Sequence, residues 1–270
     1  MPLTLRALSF ADLLRETLAL YRRHFFLFLG ISAIPNLLLL MIQFGLEKLP
    51  LGAPDNPELL RWAAALGLSL ASLFASSIVT AGTTAAVSDI YTDRLPDLWD
   101  SFARLSGKAL RILGAALLVE LFVLLGSLLC IVPGIYFAGK YGLAIPAVVL
   151  ESLGPRKALD RSEGLTKDST ARIILVFFLT SILTGILVTF FNHAMAYFGW
   201  SPSPHDALSA HMLNLLTSTL GGIFFGPISA IALALEYFDL RVRFEGFDLQ
   251  QLHTLMMAPE TYRSNPMHGM

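Results

Sequence analysis

The chain has 270 residues, 55% of them hydrophobic and 14% charged, with a formal net charge of −1 and a mean hydropathy of +0.65. Average soluble domains carry roughly 25% charged residues, so a soluble core is a poor account of this composition. The near-zero net charge says little by itself, because the charges are segregated along the chain.

The first 25 residues, MPLTLRALSFADLLRETLALYRRHF, mix acids and bases before any apolar run, and no small-residue cleavage site follows a short hydrophobic region. That is unlike a secretory signal, so the first apolar segment is expected to remain as a membrane span. About 20 apolar residues at 1.5 Å each cross a hydrocarbon core of about 30 Å. Six segments approach that length, at roughly 25–45, 62–87, 110–131, 134–150, 172–192 and 212–235. The fifth, RIILVFFLTSILTGILVTFF, is the strongest. The fourth, GIYFAGKYGLAIPAVVL, is short and holds Lys140 and Pro146, so a re-entrant loop competes with a span there. The lone Cys130 excludes an internal disulfide and a cysteine zinc cluster. It reads as a small buried apolar residue.

Basic residues concentrate in the cytoplasmic loops of membrane proteins. Arg6, Arg15, Arg22 and Arg23 precede the first span; Arg94, Arg104, Lys108 and Arg111 lie between the second and third. Arg156, Lys157, Arg161, Lys167 and Arg172 lie between the fourth and fifth, and Arg241, Arg243 and Arg263 follow the sixth. The alternate loops hold only Lys48, Arg61 and histidines. Six full crossings put every basic cluster on one side, whereas a re-entrant fourth segment would split them. The expected fold is therefore all-α: a polytopic membrane protein of six transmembrane helices with short cytoplasmic interfacial helices and both termini cytoplasmic. Residues 1–252 form the membrane domain and residues 253–270 a flexible cytoplasmic tail.

A weak internal repeat follows this topology. Aligning Asp12, Asp100 and Asp160 places Arg23, Arg111 and Arg172 eleven or twelve residues on, where an apolar run begins. Phe10, Leu13, Leu14, Leu18 and Tyr21 recur at helical spacing, with Thr17 on the same face. Leu98, Trp99, Phe102 and Leu105 do likewise, and Ala158, Leu159, Ser162 and Leu165 do so poorly. The pattern reads as three units, each an interfacial helix lying flat at the cytoplasmic face, apolar side down, followed by a transmembrane hairpin. Chance similarity among amphipathic segments would give the same alignment.

Ionisable groups inside a span are costly and are candidate functional sites. Glu120 lies near the middle of the third span and Lys140 in the fourth. In a hairpin they differ in depth by about six residues, or about 9 Å at 1.5 Å per residue. They form a candidate intramembrane pair lining a polar cavity or lipid-headgroup pocket; the bland alternatives are a structural pair or an outward-reaching Lys140. His193, His205, Asp206 and His211 are of ligand type, but their spacing matches no established zinc motif and no metal is expected. Tyr197, Phe198 and Trp200 read as an interfacial aromatic belt. Pro35, Pro146 and Pro227 each free a carbonyl within a span. Gly221, Gly222, Gly226 and Pro227 make the sixth span the most breakable. No G-x-S-x-G, H-E-x-x-H or Walker loop occurs.

The closing stretch EYFDLRVRFEGFDL, residues 236–249, holds six charged residues in fourteen positions. On a continuing helix Asp239 precedes Arg243 by four and Arg241 precedes Glu245 by four, with Gly246 a natural stop. This segment and residues 132–174, VPGIYFAGKYGLAIPAVVLESLGPRKALDRSEGLTKDSTARII, together resemble the membrane-domain family named after glycerophosphodiester phosphodiesterases. The matching features are the Pro133-Gly134 turn, Lys140 in the next span, the R-S-x-x-L-T segment from Arg161 to Thr166, and Asp239 to Asp248. The resemblance implies the membrane domain alone, in a bacterial inner membrane. The catalytic barrel of those enzymes carries an H-R-G motif, which is absent here.

The leading expectation is a non-catalytic integral membrane protein that organises or senses the bilayer or supports a partner membrane protein or a second copy. Anionic lipid would meet Arg161, Lys167, Arg241 and Arg243. A transporter of a lipid or small solute using Glu120 and Lys140 is the alternative, and a membrane-embedded enzyme the next. No cofactor and no nucleic-acid partner are expected.

Overall fold

In hydrocarbon a backbone without water must satisfy its own N–H and C=O groups, and an α-helix does so within one segment. The computed structural model describes residues 9–47, 57–92, 94–167, 169–197 and 207–246, and among them every regular element is an α-helix. In chain order these are α1 (Phe10–Arg23), α2 (Phe25–Glu47), α3 (Pro57–Tyr91), α4 (Leu98–Ser106), α5 (Ala109–Leu129), α6 (Ile131–Tyr141), α7 (Ala144–Glu151), α8 (Pro155–Thr166), α9 (Thr170–Tyr197) and α10 (Ala207–Glu245). Among the described residues six stretches are long and apolar enough to cross a membrane: α2, α3, α5, α6 with α7, α9 and α10. The chain is an all-α polytopic membrane protein.

Local chemistry explains the joints. Ser9 caps α1 by accepting from the Asp12 amide, and Asp97 caps α4 by accepting from the amides of Trp99 and Asp100. Between α1 and α2 stands His24 alone; its amide donates to Leu20 and its carbonyl accepts from Phe28, so the chain bends without losing its ladder. Cys130, with extended backbone, is the one-residue corner between α5 and α6. It is exposed there, contrary to the buried reading, because the corner lies at the periphery of the bundle. Pro133 and Gly134 fall in the first turn of α6 rather than in the corner itself. Gly134 permits the close crossing of α5 and α6, since a Cβ on it would lie 2.0 Å from Ser127 Oγ.

The fourth span is the broken one, interrupted at Gly142 and Leu143 between α6 and α7. Pro146 sits in the first turn of α7, where a missing N–H leaves no gap. The sixth span, expected to be the most breakable, is instead a single helix of 39 residues that absorbs Pro227.

Length decides where each helix is buried. The 35 residues of α3 and 39 of α10 give lengths of about 52 and 58 Å at 1.5 Å per residue, well beyond a hydrocarbon core of about 30 Å. Their C-terminal parts are buried on nearly every face, over residues 81–91 and 230–241, as is α7. Around these ends stand α4, α8 and α1: α3 packs against α4, α7 against α8, and α10 against α1. One neighbour relation recurs among the spans, with α3 on α5, α6 on α9 and α10 on α2, so the last helix returns to the first. Toward the other end large apolar side chains are exposed, among them Met41, Trp62, Leu128 and Phe190. Faces of this kind belong in lipid.

The three short polar helices bury the faces they turn to the bundle. Ala158, Leu159, Ser162 and Leu165 of α8, the least apolar set in sequence, are all buried. In α1 the buried set is Leu13, Thr17, Leu20 and Tyr21, and Leu18 points outward. Trp99 of α4 is also exposed. These helices therefore cover the ends of α3, α7 and α10 as well as facing outward.

Candidate functional site

The charged residues at the collared end converge on the ends of α7 and α10. Helix α7 ends at Glu151, followed by Ser152 in the left-handed region at φ 54°. Two cations from the start of α5 meet the carbonyls left open there: Lys108 Nζ donates to Val149 O at 3.0 Å and Arg111 to Ser152 O at 3.1 Å. Cations at a helix C-terminus are favoured by its partial negative charge.

Glu151 is itself buried and receives Arg161 of α8 through Nε, at 2.9 Å to each carboxylate oxygen. The Tyr237 hydroxyl donates to the same carboxylate, and Arg241 Nη1 lies 3.7 Å away. Arg161 also donates to Glu245 at 2.9 Å, and Arg241 Nε lies 3.0 Å from Glu245 Oε2. Burial opposes the charge on Arg161, but Glu245 and Glu151 outweigh it and hold the guanidinium above its ordinary pKa. Beside this group Arg172 of α9 bridges Glu236 at 3.0 Å and Asp239 at 2.8 Å, and Arg243 Nε meets Asp239 at 2.7 Å. Arg104 of α4 reaches Asp89 of α3 at 2.6 Å.

Both helical pairs expected in the closing stretch form, and Gly246 stops α10 at φ 61°. The R-S-x-x-L-T segment is explained atom by atom. Arg161 grips Glu151; Ser162 Oγ donates to Lys140 O at 2.8 Å and accepts from the Leu143 amide at 3.2 Å; Thr166 Oγ1 donates to Lys140 O at 3.1 Å. The two hydroxyls supply the hydrogen bonds that the break between α6 and α7 leaves open.

Comparison with family models, with curated proteins and with solved structures finds no match. The site is therefore read from its own geometry.

Of the residues singled out in sequence, Lys140 pairs with Glu163 at 2.9 Å rather than with Glu120, which is exposed on α5. The chain turns back after α7, so α8 offers Lys140 a nearer carboxylate. Arg161 and Arg241 are committed to Glu151 and Glu245, and Arg241 is buried, so neither presents a free guanidinium to lipid. Arg243 is half-exposed on Asp239, and Lys167 is exposed. The ring of His193 lies 2.8 Å from the Thr189 carbonyl; His205, Asp206, Phe198 and Trp200 lie outside the described residues. Hydroxyls within the spans mostly bond their own helix, as Thr84 does to Thr80 O and Thr180 to Val176 O, both at 2.8 Å.

Sequence reasoning passed over Asp89, Glu151 and Glu236, all buried. A signal for them exists: each is the first acid after an even-numbered apolar run, in TAAVSD, PAVVLE and ALALE.

Proposed function

We propose that this chain is a non-catalytic integral membrane protein that organises or senses the bilayer, or supports a partner, through anionic-lipid contact on its basic side. The observation that carries the reading is a division of labour among the cations. Arg104, Arg161 and Arg172 are tied to buried carboxylates, and buried Arg241 lies between buried Glu151 and the more exposed Glu245. Arg22, Arg23, Arg156, Lys157 and Lys167 are exposed and, among the described residues, have no ion-pair partner. Each such cation near an anionic leaflet contributes about 1 kcal/mol, screened by salt. The same charge asymmetry supports a cytoplasmic position for this side, both termini included; a bacterial inner membrane is what the family resemblance implies. The recurring packing of α3 on α4, α7 on α8 and α10 on α1 supports the three-unit organisation. The convergence of Arg161 and Glu245 supports treating the two segments that resemble the glycerophosphodiester phosphodiesterase membrane domain as one unit.

The test is retention of anionic phospholipid by the purified chain, measured by native mass spectrometry. Replacing Arg22, Arg23 and Lys167 together by Glu should reduce retention while leaving the fold intact. Retention indifferent to those charges would overturn the reading. Arg241 is unsuited to this test, because its reversal would break the buried network.

A further inference from the structure

Where the start of α8 presses against α5, a hollow of about 390 Å³ is lined by Arg111, Ser152, Gly154, Pro155, Arg156 and Lys157. Its lining includes three cations and no carboxylate. Arg111 donates to the Ser152 carbonyl, while Arg156 and Lys157 are exposed and have no ion-pair partner among the described residues. The hollow is also the N-terminus of a 12-residue helix with Gly154 at the cap position and no side-chain cap. The amides of Arg156 and Lys157 are therefore left without intrahelical acceptors, at the end of the helix that carries partial positive charge.

A second observation points to a ligand. Ser152, in the wall of the hollow, is 2% exposed, and its buried hydroxyl has no hydrogen-bond partner among the described residues. Buried hydroxyls are ordinarily paired. The residue also holds a left-handed backbone, at φ 54°, that glycine adopts without strain. Gly114, where a Cβ would lie 2.9 Å from the Pro155 ring, lets α8 start close against α5.

We infer that this hollow binds a phosphate group, taken either from the headgroup of an anionic phospholipid or from a soluble phosphate. Cations, open helix amides and a hydroxyl donor all complement a tetrahedral oxyanion. The lipid source deepens the anionic-lipid reading above and rests on it; the phosphate site itself does not.

The experiment uses the full chain in detergent micelles, titrated with short-chain phosphatidylglycerol and, separately, with inorganic phosphate. Wild type should bind at least one probe saturably. Arg156→Ala with Lys157→Ala should raise Kd at least about tenfold, as expected when two charge-assisted contacts are lost. Ser152→Gly suits the left-handed backbone and removes the CH2OH side chain with its hydroxyl; it should weaken binding without lowering the unfolding temperature. Arg15→Ala, an exposed cation on α1 outside both the hollow and the set tested for lipid retention, should bind as wild type. Phosphatidylglycerol binding alone, or both probes in competition, supports the site with a lipid source. Inorganic phosphate binding alone supports it with a soluble source. Absence of saturable binding by either probe overturns the proposal. So does unchanged binding in both hollow variants, or an equal loss in the Arg15 control. The failure of the general lipid reading is seen separately, in lipid retention by the Arg22, Arg23 and Lys167 variant.

Discussion

Arg161 Nε lies 2.9 Å from both carboxylate oxygens of Glu151, joining α8 to the end of α7 at the point where α10 passes. The Glu151 side chain is 5% exposed and is shared with Tyr237 and Arg241. A carboxylate so enclosed costs much to desolvate, and its removal leaves cations without their counter-charge. Glu151→Leu should therefore destabilise the fold by about 3–5 kcal/mol. Thermal unfolding in detergent measures this; a loss below about 1 kcal/mol would show that the network does not hold these helices.

Tyr237→Phe removes one donor to that carboxylate and leaves the ring in place. Hydrogen bonds to charged groups contribute about 1.5–3 kcal/mol. The loss should be smaller in a Glu151→Leu background, because the acceptor is already gone. Additive losses in the double-mutant cycle would refute the contact.

The break in the fourth span is held by hydroxyls. Ser162→Ala removes both the donor to Lys140 O and the acceptor of the Leu143 amide. A buried group left unpaired costs about 1–3 kcal/mol. Hydrogen exchange at the Leu143 amide should accelerate, and an unchanged rate would mean that the break is satisfied by other groups.

Small residues act by position. Gly134→Ala would set a methyl 2.0 Å from Ser127 Oγ, an overpacking that costs about 1–3 kcal/mol. Gly67→Ala in α3 meets nothing within 4 Å, so it should stabilise by up to about 1 kcal/mol through helix propensity. Equal effects of the two substitutions on the unfolding temperature would contradict the crossing described for α5 and α6.

His24 is held below the ordinary imidazole value, by burial first and by Arg23 second. The unfolded chain then takes up a proton at a pH where the folded chain stays neutral. Stability should be full above the unfolded pKa of about 6.5 and decline as the pH falls through it toward the lower folded value. In His24→Asn this part of the slope should vanish. A decline of the same size in the variant would assign it to other groups.

Composition and the spacing of basic clusters determined the class of this protein by themselves. Apolar runs of sufficient length have one backbone solution in lipid, and six emerged as helices that can span. The i, i+4 pairs and the Gly246 stop were also legible, because they depend on local helical geometry alone. Hydropathy does not tell which parts of those helices face lipid and which face protein, since either surrounding suits a helix apolar on every side. Only the tertiary structure decided that α3, α7 and α10 carry their ends into a collar of α1, α4 and α8. It also paired Lys140 with Glu163 and closed Arg161 and Arg241 on Glu151. Those pairings join residues up to 90 positions apart in sequence, Glu151 to Arg241, and no local pattern records which helix end will lie beside which.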